Sequence, residues 1–457
     1  MEEIRVLSPT AILGYGFPQA SLDEGMRRKP HVIAVDGGST DAGPYYLGFE
    51  PGQNESGQSG AFLESLSRDT EPLLLAALEA KIPLIIGSAG FAGGNIHLMG
   101  MLSVIQTIAA KHGLHFKMAT ITAEVDKAHV HQRLQENRVR PLGPVDQLQP
   151  EDIDASIRIV GQMGVEPFID ALEQGAQVIV TGRANDPSMF AALPILHGFD
   201  RGLALHMAKI LECGAIAAEP GSGSDALLGT IRHDSFILEP LNPERRCTRT
   251  SVAAHSLYEK SDPYKLLGPG GYVDLSASRF EEINERSVMV NGSRFVKDPE
   301  CWIKLEGASL VGYRTIAVSG IHDPVGLTQI DHFIESAHEA VNDKFSDLRG
   351  KFQLHFHVYG RNGVMPEFDA SVIPQNEVGI VIEAVAESQA QATSICAHAR
   401  TVILHLGFPG RVSTAGNLAF PFSPLDIPAG PVYRFNMYHL IQEDDPCALF
   451  NTNVFEV

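Results

Sequence analysis

Short apolar runs alternate with amphipathic stretches through the first half of the chain. The runs at 5–7, 31–35, 84–86, 118–122 and 177–180 are rich in Val, Ile, Leu and Met, and each gives way to Gly, Ser, Ala or Thr within a few residues. Continuously apolar runs of this length predict strands buried on both faces. Between them, 73–81, 101–112, 152–163, 167–174 and 203–213 carry helical periodicity. Alternating strands and helices with short connections predict an α/β fold, an open and mostly parallel sheet with helices on both faces. A partial barrel gives the same one-dimensional pattern.

Beyond about residue 230 the pattern changes. Strands are expected at 309–320, 352–359 and 378–386, and long helices at 324–345 and 389–406, the first opened by Asp323-Pro324. The order β-α-β-β-α predicts a smaller α+β layer. The expected division is an α/β domain over 1–230, an α+β domain over 231–420, and a Pro- and Asn-rich tail over 421–457 that packs on the body or on a partner.

Composition narrows the functional classes. A net charge of −20 over 457 residues speaks against a general nucleic-acid binder, which needs a basic face. The five cysteines are scattered with no CxxC pair, which suits a reducing compartment and offers no zinc-ribbon spacing. The N-terminus lacks the basic and apolar regions of a signal peptide, and no apolar run reaches the ~20 residues of a bilayer span. A cytoplasmic protein is expected.

Candidate chemistry gathers where predicted strands end, which is where open α/β sheets bind ligands. The strand at 177–180 runs into Thr181-Gly182-Arg183-Ala184-Asn185-Asp186-Pro187-Ser188. Asp186 with Pro187 reads as a helix cap and first turn, so Arg183, Asn185 and Asp186 fall in a strand-to-helix loop; the plain alternative is that Asp186 caps and Arg183 pairs with it. The strand at 31–35 runs into Asp36-Gly37-Gly38-Ser39-Thr40-Asp41-Ala42-Gly43. Its two carboxylates can hold a divalent metal, anchor a hydroxyl or act as base, or simply bond their own backbone in a tight turn. Gly87-Ser88 to Gly94-Asn95 is glycine-rich but fits neither the dinucleotide nor the P-loop pattern, leaving an anion cradle or close packing. Glu124 and Asp126 follow a further strand, with His129 and His131 behind them; a solvated helix start explains them equally.

Glu212-Cys213-Gly214 closes a predicted helix, where a carboxylate faces the unfavourable end of the dipole. Cys213 sits where a thiol is not activated, and buried packing explains it. His355 and His357 share one strand face and could hold a metal, though they equally suit the open face of a half-buried sheet.

The segments VIVTGRANDPSMF (178–190), KILECGA (209–215), YRTIAVSGIHDP (313–324) and VYGRNGV (358–364) resemble the acyclic terpene utilization protein A family over most of the chain. The resemblance implies catabolism of branched or terpenoid acids and a small companion polypeptide, separate or fused. It carries Arg183, Asp186, Glu212 and Cys213 as motif positions without assigning roles.

The expected activity is therefore that of a homo-oligomeric lyase or isomerase. It would hydrate, dehydrate or isomerise a small branched or polycarboxylic acid, or its CoA ester. Arg183 would clamp a carboxylate, Asp36 or Asp186 would serve as base or metal ligand, and Glu212 as acid. Cys213 completes the candidate catalytic set. Ser39, Thr40, Ser88, Asn95, Asn185 and Ser188 would bind substrate. A rival reading is a lyase or hydrolase using Mg2+ or Mn2+ on Asp36, Asp41, Asp186 and Glu124. Others are a non-catalytic subunit working with the companion chain, and a nicotinamide or flavin enzyme.

Overall fold

A computed structural model of the chain describes residues 2–49, 58–364, 376–412 and 415–457; the side chains of Asp41 and of residues 58–63 lie outside what is described. The residues fall into two compact units, 1–309 with 435–457 and 310–434.

The first unit is built on a ten-stranded sheet. All five strands expected in the first half form its parallel centre, in the spatial order Ile4–Ser8, Val32–Asp36, Leu84–Gly87, Val178–Thr181, Lys117–Ile121. The middle three are buried at every position, as their unbroken apolar character requires. Alternate residues feed opposite faces. Leu7, Ile33, Ile86 and Val180 pack under the helices Gln19–Arg27, Gln58–Ala80 and Asn95–His112. Val6, Ala34, Ile85 and Ile179 pack under Glu166–Glu173, Ser188–Leu196 and Arg201–Leu211. The sheet is thus wound on both sides, as right-handed crossovers demand when the chain reverses direction along it.

Antiparallel strands extend both edges. Leu227–Ile231, Ser235–Pro240, Val288–Asn291 and Arg279–Glu282 continue from Ile4–Ser8, and Thr452–Glu456 pairs with Lys117–Ile121. Residues 231–309 and the chain's last strand therefore belong to the first unit, which corrects the expected breaks at 230 and 420. The segment expected as a Pro- and Asn-rich tail holds the long strand Ile427–Glu443 and an edge strand of the main sheet.

A second correction falls at 152–163. The helix there is only Pro150–Ala155, and Arg158–Gly161 is a strand paired with residues 305–308. The run Ile157-Arg158-Ile159-Val160 is β-branched and favours a strand once a partner exists.

In the second unit, residues 313–321 pair with Val378–Ala386, which pairs with Phe352–Tyr359. Helices Ile330–Lys344 and Gln389–His405 bury Phe333, Ala337, Ile395 and Ala399 against Ile380 and Ile382. The β-α-β-β-α order is as expected, except that the first helix is interrupted after Leu327. There the Thr328 hydroxyl donates to the Val325 carbonyl at 2.7 Å and competes with the helical ladder. No helix among the described residues is long and apolar enough to cross a membrane.

Removing residues 452–457 strips the partner from Lys117–Ile121 and uncovers Phe116 and Met118. Melting of that truncation is expected about 5 °C or more below the full chain, and an unchanged Tm would show that the edge strand does not stabilise the unit.

Candidate active site

Three neighbouring parallel strands end side by side, and their loops are locked backbone to backbone. The Gly37 amide donates to the Gly87 carbonyl at 2.7 Å, Phe91 to Gly37 at 3.0 Å, Ser88 to Gly182 at 3.1 Å and Arg183 to Gly93 at 3.0 Å. Glycine is required for this closeness: a Cβ on Gly93 would lie 2.1 Å from the Arg183 nitrogen, and one on Gly182 would lie 2.6 Å from the Gly93 carbonyl. The amides of Ala92, Gly93, Gly94 and Asn95 are also occupied, the last by the Glu124 carboxylate at 2.9 Å. The glycine loop is therefore a loop-to-loop weld, with most of its amides taken by protein partners.

Arg183 sits under this weld, 2% exposed. Its Nε donates to Glu306 Oε2 at 2.9 Å, and its Nη1 to Asp186 at 2.8 Å and to the Ala184 carbonyl at 2.7 Å. Glu306, on the strand Cys301–Ile321 and fully buried, also accepts from Thr40 Oγ1 at 2.9 Å and Lys304 Nζ at 2.6 Å. Burial opposes both charges, yet each sustains the other. The carboxylates of Glu306 and Asp186 outweigh desolvation and hold Arg183 above its usual range. Burial likewise raises Glu306, but Arg183 and Lys304 win and bring it down to about 2.

Beside this pair lies a group of carboxylates and lysines. Asp36, at the end of its strand, is 4% exposed, and among the described residues its carboxylate accepts one bond, from the Gly38 amide at 3.2 Å. Burial first, then the negative charge of Asp186, push its carboxyl well above the ordinary range. Glu212 follows the helix Arg201–Leu211 and bonds Lys209 one turn earlier; its second oxygen, Oε2, is buried without a partner. Burial raises Glu212 to about 7, with Lys209 pulling the other way and Asp186 adding to the rise. Lys209 is desolvated too, but Glu212 outweighs that and keeps it charged. Asp186 thus acts on Asp36, Glu212, Lys260 and Cys213 together.

A narrow cleft adjoins the cluster. Asn185, Pro187, Ser188, Lys209, Lys260 and Tyr272 help line it, and its volume is about 460 Å³ with its open mouth. The centre of a water molecule can range over only about 30 Å³ of it. A wider vestibule, about 590 Å³ by the same measure, shares Gly164, Arg201, Pro269 and Phe295 with the cleft. Arg201 bonds Glu166 at 2.8 Å and lies over the Phe295 ring at 4.7 Å, so this shared wall is itself held by charge.

The expected residues separate into groups. Asp36, Arg183, Asp186 and Glu212 converge. Asn185 and Ser188 reach the cleft, Ser188 with its hydroxyl 3.5 Å from the Met163 carbonyl. Thr40 serves Glu306, and Ser88 holds the Ala184 amide at 3.2 Å. Ser39 is buried. Asn95 is exposed at the start of its helix. Asp186 does not cap the helix Ser188–Leu196, whose N-terminus has no side-chain cap, because its carboxylate is taken by Arg183.

Arg183, expected as a substrate clamp, has its Nε and Nη1 committed to protein partners, so it positions Asp186. Burial and the Glu212 charge push the Cys213 thiol further up, away from a nucleophilic thiolate. Glu124 belongs to the Asn95 amide and lies 3.6 Å from Arg158. Among the described residues no group of three or more His, Cys, Asp or Glu is placed to hold a metal ion, and the side chain of Asp41 lies outside them. His129 and His131 bond Glu443 and Asp154, and His355 and His357 bond Gln353 and Glu383.

Sequence reasoning missed Glu306, Lys304, Lys209 and Lys260. Lys209 carried a signal, since a lysine three residues before a glutamate on a helix shares its face. Lys304 and Glu306 alternate on a strand and so point to one side.

The chain is thus an open α/β protein with charged loops at the carboxyl edge of its sheet and a cleft beside them. The chain belongs to the acyclic terpene utilisation family protein AtuA, whose family model matches residues 49–223 and 234–419. No curated protein and no solved structure matches it.

Removing one partner of the buried pair should be costly. Glu306→Gln is expected to lower stability by about 3–5 kcal/mol, because Arg183 keeps a buried charge with less to balance it. The lowered Glu306 value adds a pH signature. Its stabilisation is complete above about 4.5 and is lost as pH falls towards about 2. Urea unfolding should show the wild type losing roughly 3 kcal/mol more than Glu306→Gln across that window; parallel pH curves for the two proteins would remove the charge pair from the account.

Proposed function

We propose that the chain is an acid–base enzyme that adds water to, removes water from, or shifts the double bond of a small branched or polycarboxylic acid. The observation that carries this reading is the carboxyl of Glu212: buried, raised to about 7, unpartnered on one oxygen and bonded on the other by Lys209, which lines the cleft. A group balanced near neutrality can both give and take a proton at working pH. Asp36, whose carboxyl is raised by burial and by Asp186, would be a second proton donor. Lys209 lines the cleft as a fixed cation and is the natural seat for the substrate carboxylate, the role first expected of Arg183.

The family's link to acyclic terpene utilisation fits a branched substrate. The narrow cleft suits a small reacting end, and the vestibule, with Phe295, Trp302 and Ile303 among its lining, suits an apolar remainder. A free acid fits better than a CoA ester. A polyphosphate tail in the vestibule would meet Glu166, Asp298, Glu300, Glu443 and Asp444, with only Arg201 and Lys297 to balance them.

Branched enoates and the corresponding hydroxy acids, followed by loss or gain of enoate absorbance, test the reaction. Glu212→Gln is expected to cut kcat by about 100-fold or more. If Glu212 acts as the acid, wild-type kcat/KM falls as pH rises through about 7, and the variant loses that limb. A wild-type profile in Glu212→Gln would exclude the role. Binding is tested separately: a carboxylate that raises the wild-type Tm should lose its effect in Lys209→Met, and a retained shift would place the carboxylate elsewhere.

A further inference from the structure

The cleft is lined by two lysines, and only one of them is used above. Lys209 is tied down: its ammonium bonds Glu212 and lies 3.6 Å from Glu259. Lys260 reaches the same cleft from the turn after the helix Arg249–Ser256, and its side chain makes neither hydrogen bond nor ion pair among the described residues. The residue before it, Glu259, has φ 61°, a left-handed conformation that costs a non-glycine residue about 1 kcal/mol or more. That turn delivers Lys260 to the cleft wall among Val165, Leu205, Leu266 and Val273.

We infer that Lys260 is an imine-forming nucleophile and that the cleft takes the carbonyl of a small oxo acid, whose carboxylate sits on Lys209. The inference rests on the reading that the substrate carboxylate is held in this cleft. The two lysines on this wall have different surroundings. Glu212 and Glu259 hold the proton on Lys209, while burial and the neighbouring Lys209 charge lower the affinity of Lys260 for its own, against a weaker opposing pull from Glu212, Asp186 and Glu259. An amine next to a fixed cation in an apolar wall gives up its proton more readily than a solvated lysine, which makes its lone pair easier to offer to a carbonyl.

In the step itself, the Lys260 Nζ lone pair attacks the carbonyl carbon. The C=O π pair moves to oxygen and is protonated from the Glu212 carboxyl. The new N–C bond releases one N–H proton to the Glu212 carboxylate, giving a neutral carbinolamine. Glu212 returns that proton to the hydroxyl, which leaves as water while the nitrogen lone pair forms C=N. The products are a protonated imine, water and a Glu212 carboxylate, with no oxidant or reductant consumed. The imine withdraws electrons from the adjacent carbon, so its C–H becomes acidic. That is the activation a dehydration or double-bond shift requires.

Trapping tests this directly. The full chain is incubated with 4-oxopentanoate and sodium cyanoborohydride, and the reduced adduct is located by peptide mass spectrometry. Pentanoate, which lacks the carbonyl, is the parallel arm, and Tm is recorded with each compound. The expected result is one adduct per chain on Lys260, none with pentanoate, and loss of labelling in Lys260→Arg. Mapping on the wild type needs no variant to fold. Labelling spread over surface lysines, or retained in a folded Lys260→Arg, overturns the assignment. If both acids raise the Tm but no adduct forms, the imine is wrong and the carboxylate seat stands. If neither raises the Tm and no adduct forms, both fail.

Discussion

The buried pair of Arg183 and Glu306 is the constraint around which the rest of the candidate site is arranged. A guanidinium with almost no exposure is tolerable only when its charge is answered at close range. Glu306 answers it from a strand far away in sequence, and Asp186 answers it from the same loop. Because Asp186 is fixed this way, its negative charge is fixed too, and it falls on Asp36, Glu212 and Lys260 at once. The pair contributes little net stability over an apolar core of the same volume; what it supplies is one defined arrangement of charge.

Two environments then push similar groups apart. Glu306 and Glu212 are both buried glutamates bonded to cations. The first has Arg183, Lys304 and Thr40 on its oxygens and stays ionised; the second has Lys209 on one oxygen and nothing on the other. The number of donors, together with the nearby Asp186 charge on Glu212, separates a carboxyl held well below the usual range from one raised to about 7. Lys209 and Lys260 divide in the same way. Lys209 bonds a carboxylate directly, whereas Lys260 feels carboxylates only at a distance and has burial and the Lys209 charge against its proton.

Much of this was legible in the chain. The five strands of the parallel centre stand out because strands buried on both faces are apolar without interruption. The loop of Arg183 and Asp186 stands out because Gly182 and Pro187 bracket it. The role of Arg183 was not legible, since its partner Glu306 looks like any charged position on a strand and becomes special only when the strand is folded over the loop. The weld of Gly37, Gly93 and Gly182 was similarly hidden: glycine spacing reports that backbones approach closely, but not whether the approaching group is a ligand or another loop. At 158–161 local helical periodicity lost to a partner strand that arrives from residues 305–308.

The return of Thr452–Glu456 to Lys117–Ile121 has a kinetic side. More than 300 residues separate the two strands, so the open edge beside Lys117–Ile121 forms long before its cover exists. During synthesis that edge offers unpaired amides and carbonyls to any passing strand. Nascent chains stalled before residue 452 should therefore be the more aggregation-prone species, and that edge is protected once Thr452–Glu456 pairs with it.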